Sequence, residues 1–403
     1  MQLAGLRGLL YDPTKVDLGT VVVPAADVAV PTGPDVHALG KLDAVALRAW
    51  QADGTLARDG SRAVYRYHQV FASGGRTLTR KLLLAAGKLS PWAEGTIRAH
   101  EVVPAAARTA ELARLRATGV QLHPLLGSYR DAAGEVDRLM KRAEADRPIL
   151  EVTTADGTSH RVWRERRAEI LGSLRTLFAP KKVTLLDGHA RYDALLAYSD
   201  ELASPASYAA SNYALMALVA LDDQTLELRP RHRVVRGAVD KAAVLAAARA
   251  YFLVEPLPGA GRDAGKLTAA LADTLMHQPG FALAFAGDPD GYKLTLSPDI
   301  SPVAEGVKVH RGIQKLDPVV VDELFIARAL AGAEVTGELD AAAALAQLAT
   351  GAAVVVITRA LTLDQVTHVA DLGQALPAGS SAFHPPIIAG LVMHVLDPNE
   401  DLV

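Results

Sequence analysis

Alternating stretches of strand-like and helix-like hydrophobicity mark this 403-residue chain as a mixed α/β (α+β) protein. Two glycine-centred turns, Ser73-Gly74-Gly75 and Asp156-Gly157, sit between paired apolar runs, as hairpins require. The length exceeds what one hydrophobic core usually serves, so two domains are expected, with a boundary at Gly237. Residues 1–237 then form one domain, 238–397 a mixed α/β companion, and 398–403 a polar, frayed tail.

The elements follow from local pattern. Leu18 to Val23 reads as an apolar strand closed by Pro24, and VPAADVAVPTGPD as a turn series. A helix over Leu42 to Trp50 precedes the first hairpin, Ala63 to Ala72 with Leu78 to Leu84. Pro104 opens a helix that Gly119 ends, because proline suits a first turn and glycine the left-handed stop. Glu135 to Asp146 buries Val136, Leu139, Met140 and Ala143 on one face, and the second hairpin pairs Ile149 to Thr154 with Ser159 to Arg164. Arg167 to Phe178 is amphipathic through Ile170, Leu171, Leu174, Leu177 and Phe178, and Pro180 stops it.

A short strand, Val183 to Leu186, comes next, then a helix carrying Tyr192, Leu195, Leu196 and Leu202 at helical spacing. Tyr213 to Leu221 is apolar throughout, as a strand covered on both faces must be, and Thr225 to Val235 is expected to pair beside it. The remainder alternates helices (Lys241 to Tyr251, Leu267 to Met276, Pro318 to Leu330, Ala341 to Leu348, Leu363 to Ala370) with strands (Phe281 to Ala286, Tyr292 to Leu296, Ala353 to Ile357, Ile388 to Val395).

Composition narrows function. A charged fraction of 22% and a net charge of -3 lack the basic excess of a nucleic-acid binder, so nucleic acid is not the expected partner. With no cysteine, thiolate nucleophiles, thiolate metal sites and disulfides are excluded, which fits a cytoplasmic location. The start, MQLAGLRGLLYDPTK, has no export pattern, and no run of about 18 apolar residues suggests a membrane span.

The chemistry concentrates at Asp187-Gly188-His189-Ala190-Arg191. A strand that switches at once into a helix exposes unpaired N–H groups at the positive end of the helix dipole, and Gly188 lets a ligand approach the backbone. Asp187, His189 and Arg191 would place an acceptor, a titratable ring and a guanidinium around that seat. The same spacing fits a ligand-free account, in which Asp187 caps the helix and Arg191 is its i+4 ion-pair partner. His100 and Glu101 are candidate neighbours on one side, and one of His232 or Arg233 on another. These last two point to opposite faces of a strand, and suit a pocket wall or an exposed edge equally.

Two other motifs fail on inspection. GAGRDAGK at Gly259 to Lys266 has Ala260 where the first loop glycine belongs and Leu267 where Ser or Thr belongs, so a flexible interdomain loop is expected rather than a phosphate loop. His100-Glu101 does not continue to H-E-x-x-H, because position 104 is Pro104.

YDPTKV, AHE with RLRAT, LLDGHARYDALLAY, NYALMALVALDD with RPRHRVV, KLDPVVVDELF and PAGSSAFHPPIIAGLV occur in an order that resembles the bacterial and archaeal domain of unknown function 1015 family. Its central D-G-H-H-R box is similar to the phosphate-contacting box of the ParB and sulfiredoxin-like fold, which free-serine kinases that make O-phosphoserine also use. The resemblance implies a ParB/sulfiredoxin-like part in residues 1–237, and nucleotide or phosphate binding at Gly188, His189 and Arg191 with ATP or ADP as the ligand. This chain departs from the pattern at polar positions. Ala190 replaces the second histidine, His100-Glu101-Val102-Val103 stands for H-E-K-T, Ala110-Glu111 for Asp-Arg, and Pro24-Ala25-Ala26-Asp27 for P-P-Y-D. A lost lysine and arginine matter because phosphoryl transfer depends on positioning and on cations that neutralise the transferred group.

Three readings stay open. In a small-molecule kinase, Glu101 is the general base, His189 a further catalytic group, and Asp187 orients the substrate or a Mg²⁺ ion, while Gly188, Arg191, His100 and one of His232 or Arg233 hold the nucleotide. In a non-catalytic descendant the same seat binds a nucleotide or phosphorylated metabolite without turnover. A DNA-associated ParB-like protein needs a basic face that the sequence does not advertise.

Overall fold

The computed structural model describes residues 1–24, 44–204, 206–272, 274 and 278–403. The expected turn series after Pro24, the motif at 24–27 beyond its first residue, the first two residues of the expected 42–50 helix and the end of the expected 267–276 helix lie outside the described residues. The architecture is mixed α/β, in two compact units: Met1–Glu227 with Pro385–Val403, and Leu228–His384.

The first unit is organised on one mixed sheet. Its strands run, from one edge, Leu150–Thr153, Ser159–Glu165, Val64–Ser73, Arg76–Lys88, Tyr213–Ala220, Leu125–Tyr129, Val183–Asp187 and Ile97–Arg98, and Leu3–Ala4 adds to Arg76–Lys88. Both glycine turns form the expected hairpins, with Gly74, Gly75 and Gly157 at φ 55°, 74° and 81°, a backbone region that side chains disfavour. Tyr213–Ala220 lies mid-sheet, antiparallel to Arg76–Lys88 and parallel to Leu125–Tyr129, which explains its unbroken apolar sequence. The expected pairing of Thr225 to Val235 beside it does not occur. Those neighbours are supplied by segments distant in sequence, and His232–Arg236 joins the other sheet.

Helices close the first core. Ala168–Phe178 contributes Ile170, Leu174 and Phe178, Glu135–Met140 contributes Val136 and Met140, and His189–Leu202 contributes Tyr192 and Leu195. Each such side chain, fully withdrawn from water, stabilises by about 1.5–3 kcal/mol. Tyr192 also ties its helix to the sheet end, because its hydroxyl donates to Ser90 O at 2.7 Å and accepts from Ser90 N–H at 3.0 Å.

The second unit has a six-stranded sheet ordered Phe252–Leu257, Gly291–Leu296, Gly280–Phe285, Ala352–Ile357, His232–Arg236, Glu334–Glu338, antiparallel throughout. Leu267, Leu271, Leu345 and Leu348 pack against Val234, Val355 and Ile357. Among the helix starts, Asp240 and Asp340 cap through their carboxylates, and Thr362 with Gln365 forms a reciprocal capping box.

Several sequence expectations are corrected. Leu18 to Val23 is not one strand: Leu18–Thr20 is a 3-10 turn capped by Asp17, and only Val23–Pro24 is extended. The break between units falls after Glu227 rather than at Gly237, because His232–Arg236 already lies inside the second sheet and Gly237 merely turns the chain at its end. Residues 385–397 return to the first unit, where Ile388–Ala389 pairs with Val23–Pro24 and His394–Val395 with Val120–Gln121, instead of forming one strand over Ile388 to Val395. The tail is held as well: Leu402 is buried and its N–H donates to Tyr208 O at 3.0 Å, while Glu400 pairs with Arg58. Among the described residues no helix is long and apolar enough to cross a membrane.

Candidate functional site

Val183–Asp187 buries Val183, Leu185 and Leu186 and pairs with Leu125–Tyr129 on one side. The register slips between Leu185 and Asp187, and a bulge of this kind re-aims the side chain at a strand end. Gly188 follows at φ 95°, ψ 26°, and a Cβ there would stand 2.7 Å from Leu125 Cδ2. Glycine is therefore required twice, for its conformation and for its lack of a side chain. The helix His189–Leu202 begins at once, with no side chain capping its first turn. Its first-turn N–H groups carry the positive end of the helix dipole.

Around this turn the structure gathers four of the sequence candidates besides Gly188 and Arg191: Asp187, His189, His100 and Glu101. His100 Nδ1–H donates to Leu185 O at 2.9 Å, and the His100 backbone N–H donates to His189 Nε2 at 3.3 Å. The rings meet edge to face, centroids 4.7 Å apart. Because His189 Nε2 accepts, its proton sits on Nδ1. Burial, reinforced by His100, pushes the His189 pKa down to about 4. His189 is thus a neutral ring at pH 7, able to donate a hydrogen bond but adding no charge. Glu101 Oε1 lies 3.6 Å from His100 Nε2, with the Glu101 side chain only 11% exposed.

Asp187 and Arg191 form the i+4 ion pair, Oδ2 to Nη2 at 2.7 Å, while the capping position belongs to Gly188 and not to Asp187. Partial burial would raise the Asp187 pKa, but Arg191 and then His123 outweigh it and hold the carboxylate below its ordinary value. The Asp187 side chain is 45% exposed, the Arg191 side chain 14%. Arg191 Nε has no hydrogen-bond partner although it is buried.

His232 and Arg233 lie in the second unit, and each is engaged there. His232 is buried, its Nδ1 accepts from Thr358 N–H at 3.1 Å, and burial lowers its pKa to about 4. Arg233 makes a two-pronged pair with Asp322, 2.9 and 2.7 Å. Their strand is not an edge: it runs between Ala352–Ile357 and Glu334–Glu338, so both faces and both sides are covered. The 259–266 stretch is not the expected interdomain loop: it lies inside the second unit, between the strand Phe252–Leu257 and the start of the helix Ala264–Ala272. Gly259 N–H donates to Asp290, and Lys266 belongs to the helix Ala264–Ala272.

Sequence reasoning overlooked Arg114 and His123. Arg114, in the helix Ala105–Thr118, is buried and pairs with Glu111 at 2.6 Å; His123 Nε2–H donates to Ile387 O at 2.8 Å. Burial, then Arg191, pushes the His123 pKa down to about 3. The one signal available was the arginine spacing in RLRAT, which places Arg114 and Arg116 on different helix faces.

No curated protein matches the chain. Among solved structures, a free serine kinase in complex with AMP aligns over 76% of this chain and 90% of its own, at 13% identity and a TM-score of 0.41. A conserved hypothetical protein from Pyrococcus furiosus covers 72% of this chain and 89% of its own at 15% identity and a TM-score of 0.38. C-terminally truncated SbnI from Staphylococcus aureus covers 78% and 90% at 13% identity and a TM-score of 0.38. The family model described as a protein of unknown function, DUF1015, matches residues 27–319, and the chain belongs to that family.

Proposed function

We propose that the Asp187–Arg191 turn binds the phosphate of a nucleotide or phosphorylated metabolite, on a ParB/sulfiredoxin-like frame shared with small-molecule kinases. The observation that carries this reading is the uncapped start of a 14-residue helix, entered through Gly188 at φ 95° and flanked by a buried guanidinium with an unused Nε–H. Oxyanions are favoured at such a start because N–H groups and dipole converge there. His189 offers a neutral donor beside it.

As a kinase, Glu101 would accept the proton of a substrate hydroxyl while Asp187 orients that hydroxyl, with ATP or ADP as phosphate source. Among the described residues no group of three or more His, Asp or Glu side chains is placed to hold a metal ion. Mg²⁺, if used, would come with the nucleotide phosphates and neutralise charge on the transferred group. A non-catalytic binding role is favoured by two features: Ala190 inside the box, and an Asp187 carboxylate already committed to Arg191.

Titration of the full chain with ADP should raise the melting temperature and shift the backbone amide signals of Gly188 to Arg191. An unchanged melting temperature and static amides at millimolar ADP defeat the binding proposal. Turnover is tested separately: ATP or ADP, Mg²⁺ and L-serine should yield O-phosphoserine, lost in Glu101→Ala. Binding without product across a panel of hydroxylated amino acids leaves the non-catalytic reading.

A further inference from the structure

The start of the helix His189–Leu202 is covered by one of its own side chains. Arg191 folds back over Gly188: a Cβ on that glycine would stand 2.9 Å from Arg191 Nη2 and 3.1 Å from Nε, so the guanidinium fills the room that a side chain there would take. Asp187 Oδ2 accepts from Arg191 Nη2–H at 2.7 Å and holds it in place. The two partners are unequally free to move. The Asp187 side chain is 45% exposed and can turn into water, whereas the Arg191 side chain is 14% exposed and its buried Nε has no partner. His189, 8% exposed, spends Nε2 on the His100 N–H, and its Nδ1–H makes no hydrogen bond among the described residues. The turn thus holds two unused N–H groups beside a carboxylate that can leave.

Charge decides what can take the carboxylate's place. Arg191 is matched by Asp187, and burial keeps His189 and His123 neutral, so the pair and its two rings offer an arriving anion no net charge. The guanidinium nitrogens nearest Gly188 are Nη2 and Nε, and Asp187 already takes Nη2, so a ligand approaching over Gly188 must displace it. Being tethered in the same chain, Asp187 competes at a high effective concentration. A free carboxylate or a phosphodiester brings a single charge, exchanges like for like, and loses to the tethered group. A phosphate monoester brings about two charges near pH 8 and three terminal oxygens, enough to accept from Arg191, from His189 Nδ1–H and from a first-turn N–H together. We infer that Asp187 is a built-in competitor for Arg191, an autoinhibitory latch that opens to phosphate monoester dianions and stays shut to carboxylates and phosphodiesters. On binding, Arg191 passes from Asp187 to the phosphate and Asp187 is released to water. This rests on the phosphate reading of the same turn.

The test uses the full chain at pH 8 and fixed ionic strength with two probes: methyl phosphate, doubly charged there, and dimethyl phosphate, singly charged. The Gly188 to Arg191 amide, Arg191 Nε–H and Asp187 carboxyl-carbon signals are followed by NMR. Methyl phosphate should move all of them saturably, with an affinity about tenfold or more above that of dimethyl phosphate. In Asp187→Asn, methyl phosphate should bind about two- to fivefold more tightly, because a half-exposed ion pair no longer opposes it. Amides that move while the Asp187 carboxyl and Arg191 Nε–H signals stay still overturn the latch. Equal affinity for the two probes, or unchanged or weaker methyl phosphate binding in Asp187→Asn, does so as well, and in each case the phosphate reading stands. Amides that respond to neither probe in either protein overturn the phosphate reading and the latch with it. Because the two-probe comparison and the carboxyl signal come from the unsubstituted chain, a misfolded Asp187→Asn would not blur the outcome.

Discussion

Lowering the pH from 7 to 5 should unfold the first unit, and the reason is five buried histidines. His68, His160, His189 and His394 are pushed down to about 4 and His123 to about 3, burial being the leading cause in each. An unfolded histidine takes its proton near pH 6.5, so between about 4 and 6.5 the unfolded chain holds more protons than the native one, and stability falls as pH falls. Each histidine shifted to about 4 then forfeits about 2 kcal/mol between pH 7 and pH 5. Five together forfeit roughly 10 kcal/mol, comparable with the whole stability of an ordinary domain. The carboxylates do not interfere in this window: Asp187, held below its ordinary value, loses its contribution only at still lower pH. All three tryptophans, Trp50, Trp92 and Trp163, lie in the first unit, so their fluorescence in urea titrations at pH 7, 6 and 5 reports that unit alone. In the second unit His232 is lowered in the same way, a share of about 2 kcal/mol, so the 228–384 peptides should keep most of their hydrogen-exchange protection at pH 5. A fluorescence-detected loss below about 2 kcal/mol, the share of one histidine, would refute the assignment of neutral buried rings.

Three substitutions separate the fold from the site. Gly188→Ala forces a Cβ to 2.7 Å from Leu125 Cδ2 at φ 95° and should cost about 1–3 kcal/mol in urea unfolding, with ADP-induced amide shifts lost even at temperatures where the variant is folded. Arg191→Met removes the guanidinium while leaving Asp187 half exposed, so stability should fall by no more than about 1 kcal/mol while ADP affinity drops about tenfold or more, read by calorimetry. Arg233→Met strands the largely buried Asp322 carboxylate and should destabilise the second unit by about 3–5 kcal/mol in hydrogen exchange; ADP affinity should stay unchanged, and a loss would return Arg233 to the ligand site.

What could be read from sequence divides by the range of the interactions that fix it. Hairpins at Gly74-Gly75 and Gly157, and the amphipathic helix ending at Phe178, were legible because turn and period are properties of a few adjacent residues. The strand Leu125–Tyr129 was not. Its sequence, LLGSY, carries a glycine and a serine that argue against a strand, yet it pairs between Val183–Asp187 and Tyr213–Ala220. Gly127 is there for tertiary reasons, since a Cβ would meet Val183 Cγ1 at 2.7 Å and Leu218 Cδ2 at 3.3 Å. Likewise the tail looked polar enough to fray, but a single buried side chain, Leu402, with one backbone bond and the Arg58–Glu400 pair holds it.

The same division runs through the site. Asp187 to Arg191 was visible because its parts are local: a strand end, a left-handed glycine and an i+4 pair. His100 was named for its own neighbourhood, and only the fold shows that its backbone N–H fixes the tautomer of His189. His123 has no sequence signature, and Arg114 only the arginine spacing of RLRAT. One is an arginine in a helix of arginines and the other a histidine in a loop, and their meaning depends on Arg191 and on Ile387, far off in the chain. Their places are held by Glu111, Gln121 and the returning C-terminal segment, contacts that no local pattern announces. Buried nitrogens without partners beside the Asp187–Arg191 turn are a reason to test what this chain binds before what it turns over.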